Sequence, residues 1–492
     1  MMTKIDLNII SNIKPQTEKS LLNYIKVFLG YKIPNKSVCK NHNTPFGFLT
    51  DVFFEKNKNI IGFASRGSGK TLDVAIIHFL NSKFKPGCDT ATVGAIESQA
   101  KRCYDYFSKF CRLPIFQSCI AETRLGDTVF KNGSRVEILT GTVRSLNSPH
   151  PSKAFLDEVE LVDWNIYQEF LNMAQDKENI ISQNILTSTR KYSFGTMQRI
   201  LDEAEILNNY KVYTWCIWEV AKQCKKSSCE DCKKITKGDK NFFDVCQMKM
   251  KYSNGFVSFQ DVVNRFLLLD DFTWKSQQEC LGVERTGLVY KWFNKEKHIG
   301  DFKYDSNYQI YEGLDFGGVN PSACIWVQKV GNKLFLLDEI YKTGIAPSDF
   351  GKLILQKRQE LGIIKQPTTY CDPSGKDCIL ELRKLGIVAK GVSSLVENGI
   401  SMINSLGEND LIFIDRKCKN FVVEILNYHY AENKTEKNLP EQPVKSGDHL
   451  MDAFRYCVVG MNLKPEFSFG AIETKPKIIE NPDKEILERL YY

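Results

Sequence analysis

The chain has 492 residues, 42% hydrophobic and 25% charged, with a formal net charge of +7. This length and balance predict two or three soluble globular domains, each large enough to bury a core. Met1–Ile9 lacks the apolar run of a secretory signal, and no stretch reaches the roughly 18 apolar residues of a membrane span, so secreted and membrane-spanning classes are excluded as expectations. The mild basic excess permits an acidic polymer as partner without demanding one. Sixteen scattered cysteines predict a reducing compartment.

Residues 1–59 read as a helical lead-in. Apolar spacing over 21–33 predicts a helix that Pro34 ends. Cys39 and His42 lie next, in a polar segment, where His42 is too isolated to be read as a ligand. Phe46, Phe48, Phe53 and Phe54 are candidates either for the edge of a nucleotide-base pocket or for plain core.

The stretch IIGFASRGSGKT (60–71) organises the domain predicted over 60–210. Ile60 to Ala64 read as a buried strand, Ser65, Arg66, Gly67, Ser68 and Gly69 as a turn, and Lys70 and Thr71 as the start of a helix. Such a loop suits phosphate: glycines admit backbone amides, the helix N-terminus is positive, a lysine reaches the β and γ phosphates, and a threonine hydroxyl can ligate magnesium. The loop departs from the common pattern at Ala64, where a glycine is usual. Strand, helix and a hairpin with Asn132-Gly133 in a type I′ turn are predicted next. The strand KAFL then ends in Asp157 and Glu158, and the strand QNILTSTR carries Thr187, Ser188 and Thr189. Strand ends bearing carboxylates and hydroxyls place a site outside the carboxyl ends of a mostly parallel sheet. Asp157 is the candidate magnesium ligand beside Thr71, and Glu158 the candidate for orienting or deprotonating water. Thr187 to Thr189 are candidates for sensing the γ phosphate, and Arg66 or Arg144 for charge on the transferring phosphoryl group.

Residues 211–304 are less regular. Cys216, Cys224, Cys229 and Cys232, among lysines, could hold a structural zinc ion, with Cys246 as a substitute for Cys216. A separate domain is predicted over 305–465. A strand ending in Asp315 opens a three-strand meander, a later strand ends in Asp372, and the last helix carries Asp448, His449 and Asp452. Carboxylates at strand ends and on one helix face suit two divalent ions acting on a phosphodiester. The competing reading makes Asp448 a helix cap and leaves Asp452 facing solvent.

SRGSGKT, FLDEVE, LTSTR, LDFG, the CDP strand end and DHLMDAFRY, in that order over roughly 45–460, together resemble the large terminase subunit of tailed bacteriophages. The resemblance implies an N-terminal additional-strand P-loop ATPase followed by a C-terminal ribonuclease-H-like nuclease, with a linker or lid subdomain between them and a tail over 466–492. It implies an ATP-driven motor that moves double-stranded DNA into a procapsid and cuts the concatemer. By this resemblance Lys70 and Thr71 bind triphosphate and magnesium, and Arg66 is a catalytic switch. Asp157 is the magnesium aspartate, Glu158 the catalytic base, and Thr187–Thr189 the coupling segment. Asp315 and Asp372 match two nuclease carboxylates, the third being Asp448 or Asp452, with His449 a further ligand in some members. The implied cofactors are ATP and Mg2+, with Mn2+ able to serve the nuclease. The implied partners are double-stranded DNA, the portal protein, the small terminase subunit and four more copies in a pentamer on the portal, isolated chains being monomers; the implied place is the host cytoplasm during assembly. The cysteine set departs from the family pattern. A P-loop helicase-nuclease working outside packaging is the alternative, and a scaffold with a vestigial ATPase site is a further one.

Overall fold

The computed structural model describes residues 9–462 except 96, 148, 283, 284, 286, 319, 394 and 432–441, so the tail expected at 466–492 lies outside the described residues. Of these, the residues within 9–289 and 422–446 form one unit, and those within 290–421 and 447–462 another. The boundary thus differs from the one expected near 304, and the stretch from 422 returns to the first unit. The reason is a set of polar ties: Arg285 donates to the Leu426 carbonyl at 2.7 Å and pairs with Asp202, which also accepts from the Asn427 amide at 2.9 Å.

In the first unit, helix α1 (Glu18–Tyr24) starts at Thr17, whose hydroxyl accepts from Ser20 N–H, and continues as a wider turn over Ile25–Leu29. It stops at Gly30, whose φ of 77° is left-handed, and not at Pro34. Helix α2 (Pro45–Phe54) is next. Phe46, Phe48 and Phe53 are buried in the core and Phe48 rests on Trp215, so these rings are packing rather than a base pocket.

An eight-stranded sheet is built from β1 (Asn59–Ala64), β2 (Thr90–Gly94), β3 (Ile120–Arg124), β4 (Asp127–Phe130), β5 (Arg135–Thr140), β6 (Lys153–Asp157), β7 (Gln183–Ser188) and β8 (Lys211–Trp215), in spatial order β3-β4-β5-β2-β6-β7-β1-β8. From β5 to β8 all neighbours are parallel; β3 and β4 add an antiparallel edge. β1, β2, β6 and β7 are buried almost throughout, as expected for central strands written as apolar runs. Helices α3 (Lys70–Phe84) and α4 (Glu97–Cys111) pack together beside the sheet.

The hairpin between β4 and β5 forms, but not through a type I′ turn. Only Gly133 has positive φ there; Gly133 N–H bonds the Phe130 carbonyl at 3.0 Å and Phe130 N–H bonds Ser134 O at 2.8 Å. This is a three-residue loop whose left-handed position is filled by glycine.

The second unit is a seven-stranded sheet in which a two-residue strand, Ile299–Gly300, is followed spatially by β14-β11-β10-β9-β12-β13. The strands are β9 (Gln309–Asp315), β10 (Ser322–Val330), β11 (Lys333–Lys342), β12 (Thr368–Cys371), β13 (Ala389–Gly391) and β14 (Ile412–Asp415). β9, β10 and β11 form the expected antiparallel meander, and β12, β13 and β14 join in parallel. Helices α5 (Thr196–Leu207) and α6 (Phe259–Leu268) belong to the first unit; α7 (His449–Gly460) packs across β9, β10 and β12 of the second. It can approach so closely because β9 carries Gly313: a Cβ there would lie 2.0 Å from the Ala453 carbonyl oxygen. Among the described residues no helix is long and apolar enough to cross a membrane.

A buried polar knot pins β9 to β12. Glu312 is fully buried and receives Arg358 at 2.7 and 2.6 Å, Trp326 Nε1 at 2.8 Å and Thr369 Oγ1 at 2.6 Å. Glu312→Ala strands the Arg358 charge in the interior, so the second unit loses roughly 3–5 kcal/mol. Urea unfolding followed by hydrogen exchange in β9 and β12 checks this, and unchanged protection there contradicts it.

Candidate functional site

The loop after β1 is shaped by its backbone. Gly67 and Gly69 have φ of 75° and 89°, left-handed values at little steric cost only for glycine. The chain thereby turns tightly from β1 into α3. Lys70 folds back over this turn: its ammonium donates to the carbonyls of Ala64 and Ser65 at 3.4 and 3.2 Å and to Thr189 Oγ1 at 2.7 Å. Thr189 in turn donates to Ala64 O at 2.8 Å.

Sheet register brings the remaining groups to the same edge, since β6 and β7 pair Asp157 with Thr187 and β1 and β7 pair Phe63 with Ser188. One carboxylate oxygen of Asp157 accepts from Thr187 Oγ1 at 2.7 Å and from Glu158 N–H at 2.9 Å; the other accepts from Thr71 Oγ1 at 3.3 Å. Burial pushes the Asp157 carboxyl above the ordinary aspartate value, and the Glu158 charge adds to this. A hydroxyl and a carboxylate this close are the hard oxygen donors that suit magnesium. Glu158 has a left-handed φ of 53°, costing on the order of 1 kcal/mol for a residue with a Cβ. That sharp turn lets Asp157 and Glu158, adjacent in sequence, both line one cavity of about 360 Å3. The acidic run is no solvated turn: Glu160 is buried and accepts from the N–H groups of Lys191, Tyr192 and Met197, holding the chain between β7 and α5.

Cations complete this cavity. Arg66 and Gly67 line it, as do Arg102 of α4 and Lys191, whose ammonium is 4.0 Å from Glu158. Arg144 is exposed on a short helix, Val143–Leu146; neither it nor the buried Lys70 is among the residues lining this cavity.

In the second unit, the last parallel pair of β9 and β12 is Leu314 with Cys371, so Asp315 and Asp372 stand side by side just beyond it at the strand ends. His449, at the start of α7, meets Asp315 with Nδ1 2.9 Å from the carboxylate. Asp448 precedes it at the helix N-terminus, largely buried, and its side chain does not cap the helix. Asp452 accepts from Arg455 at 2.7 Å rather than facing solvent. Burial opposes the Arg455 charge, but the neighbouring Asp452 more than offsets it and raises the guanidinium pKa. The Tyr456 phenol is pushed up to about 12 by burial and then by the charges of Asp452 and Asp372. Strand register and the His449 contact bring Asp315, Asp372 and the start of α7 to one edge, although among the described residues no three of the carboxylates converge within 4.8 Å.

No family model matches the chain, and no curated protein does. Solved structures similar to it are bacteriophage large terminases. That of bacteriophage HK97 is 12% identical, covering 90% of this chain and 99% of its own, with a TM-score of 0.47. That of the thermophilic bacteriophage D6E is 15% identical, covering 85% of this chain and 99% of its own, with a TM-score of 0.34. The large terminase nuclease domain of bacteriophage SPP1, solved with bound Mn, is 21% identical, covering 34% of this chain and 96% of its own, with a TM-score of 0.28.

Two placements depart from the sequence reading. Arg265, on α6, donates to the Arg66 carbonyl and to Gln278 Oε1, both at 3.2 Å, while Arg66 N–H bonds Gln277 O at 2.8 Å. The phosphate-loop candidate is thus braced from the region after 258, a contact no local motif announces. Cys216 is the second departure. Expected with Cys224, Cys229 and Cys232, it instead lies in the core just after β8, with its sulfur 3.7 Å from Cys39 Sγ. Cys224 and Cys229 do neighbour Cys232, whose thiol is raised by burial and, less, by their charges. Yet among the described residues the donor group within 4.8 Å is Cys39, His42, Cys216 and Glu219. His42, isolated in the sequence, is part of it.

Proposed function

We propose that the chain is a large terminase subunit, a viral DNA-packaging motor that hydrolyses ATP and cuts DNA by metal-dependent phosphodiester hydrolysis. The observation that carries this reading is Asp157, hydrogen-bonded to Thr71 of the glycine loop and to Thr187 of the adjacent strand. That is the wiring a nucleotide site needs if hydrolysis is to be felt by the neighbouring strand. The first unit is read as a P-loop ATPase with additional strands, the second as a ribonuclease-H-like nuclease; a meander extended by parallel strands, with α7 across it, supports the latter.

In the motor, Lys70 holds the β and γ phosphates and Arg66 stabilises charge on the transferring phosphoryl group. Magnesium, when bound, is held by Thr71 and Asp157 and neutralises phosphate charge. Glu158 orients or deprotonates the attacking water. Ser65, Gly67, Ser68 and Gly69 line the phosphates with backbone, and Thr187 to Thr189 carry the change in contacts away from the site. In the nuclease, Asp315, Asp372 and Asp448 are the ligand set, with Asp452 the alternate to Asp448, and His449 orients Asp315. These residues would hold two magnesium or manganese ions, which would supply activation of water and charge stabilisation at the leaving oxygen. Contacts to duplex DNA run to the backbone, so binding weakens as salt rises.

The partners in this reading are double-stranded DNA, the portal protein, the small terminase subunit and further copies of the chain in a ring on the portal, in the host cytoplasm during assembly. Combining the purified chain with portal-bearing procapsids, linear duplex DNA and ATP tests it. DNA becomes protected from added nuclease only with hydrolysable ATP. Strand separation without protection points instead to the helicase alternative.

A further inference from the structure

We propose that Cys39, His42, Cys216 and Glu219 form a zinc site that fastens the segment before α2 to the carboxyl end of β8. The site is distinct from the nucleotide cavity, from the carboxylates of the second unit and from the Cys224–Cys229–Cys232 set.

Four donors suited to zinc, two thiols, an imidazole and a carboxylate, come from two short pieces of chain, each contributing a pair separated by two residues: Cys39 with His42, and Cys216 with Glu219. The spacing is that of structural zinc turns, in which a tight bend presents two donors to one ion. Both bends exist. His42 N–H bonds the Cys39 carbonyl at 3.3 Å with Asn41 in the left-handed region at φ 63°. Cys216 begins the short helix Ile217–Val220, and its sulfur receives the Trp218 N–H at 3.4 Å.

Two of the six donor separations match the edges of a tetrahedral site, and all lie within 4.8 Å. Two thiolates each about 2.3 Å from zinc stand about 3.8 Å apart along a tetrahedral edge, and a nitrogen and an oxygen at about 2.05 Å stand about 3.3 Å apart. The Cys39–Cys216 sulfur separation is 3.7 Å and the His42 Nδ1–Glu219 Oε2 separation is 3.1 Å. A disulfide needs the sulfurs at about 2.05 Å. Backbone amides already aim the carboxylate: Oε1 of Glu219 accepts from Val38 and Cys39 at 3.2 and 2.9 Å, and Oε2 from Cys216 at 2.8 Å. Such outer hydrogen bonds are what orient a metal-bound carboxylate. Cys216 and Glu219 are fully buried, the His42 side chain is 10% exposed and Cys39 is half-buried, so the ion is held largely away from water. Two sulfurs select zinc over magnesium or calcium.

The site sits next to the motor without entering it. The carbonyl of Trp215, immediately before Cys216, accepts the Ser65 N–H at 3.1 Å at the start of the glycine loop. The ion therefore fixes the strand end from which that loop is hung.

Elemental analysis of the full chain, expressed with zinc and purified without chelator, decides the matter. Wild type and Cys229→Ser carry about one zinc ion per chain, whereas Cys39→Ser and Cys216→Ser lose it. Because a serine at the buried Cys216 threatens folding, His42→Gln is the second variant: it folds by circular dichroism and has weakened zinc retention against a competing chelator. Cobalt added to zinc-stripped wild type gives the intense visible absorption of a tetrahedral thiolate site, and Cys39→Ser abolishes it. Zinc-free wild type, full retention in both Cys39→Ser and His42→Gln, loss in Cys229→Ser alone, or a Cys39–Cys216 disulfide in its place overturns the proposal. A metal-free Glu219–His42 ion pair beside two neutral thiols predicts the first of these results.

Discussion

Glu158→Gln lowers ATP turnover about 10²–10⁴-fold, the range for loss of a positioned general base, while nucleotide still binds. The side chain lines the cavity beside Asp157 and is held there by a left-handed backbone turn, so glutamine keeps the shape and removes only the basic oxygen. Lys70→Ala acts differently. The ammonium is the hub joining Ala64, Ser65 and Thr189, and in the proposed motor it also holds the β and γ phosphates. Its removal weakens binding and turnover together. Steady-state hydrolysis measured across an ATP titration separates the two effects. Normal turnover in both variants removes the motor assignment.

Asp315→Asn and Asp372→Asn abolish manganese-dependent nicking of plasmid DNA. Both residues stand at adjacent strand ends beneath α7, which is pressed onto β9 at Gly313. Like charges gathered there need cations to sit together. As direct ligands they cost more than the roughly 10–100-fold typical of an outer partner, whereas His449→Ala, which acts through its 2.9 Å contact to Asp315, falls within that range. Equal losses for all three substitutions make His449 a ligand rather than an orienting group. Asp448→Asn and Asp452→Asn, compared by manganese titration, distinguish the third ligand. Asp448→Asn shows the larger loss where the helix start supplies the third ligand, and Asp452→Asn where the next turn does.

Much of this architecture is legible in the sequence because its causes are local. Apolar runs mark β1, β6 and β7, and the glycines and Lys70 mark the loop. Alternation of strand and helix after 305 gives the second sheet, and each carboxylate falls at a strand end or helix start. The hidden features depend on pairing across distance. Arg265 braces Arg66 from far along the chain. Residues 426 and 427 return to Arg285 and Asp202. His42 gains meaning only when β8 delivers Cys216 and Glu219 to it; the one available signal is the repeated two-residue spacing of Cys39 to His42 and Cys216 to Glu219. The Asn132-Gly133 turn departs from its expected type for a different reason, since the same dipeptide serves a three-residue loop once Phe130 bonds Gly133 and Ser134.

In the proposed function one chain carries two chemistries on two separate sites. ATP hydrolysis and DNA cleavage measured side by side on wild type, Glu158→Gln and Asp315→Asn test it most directly. Glu158→Gln is expected to cut DNA at the wild-type rate without hydrolysing ATP, and Asp315→Asn to hydrolyse ATP at the wild-type rate without cutting. Loss of both activities in either folded variant contradicts it.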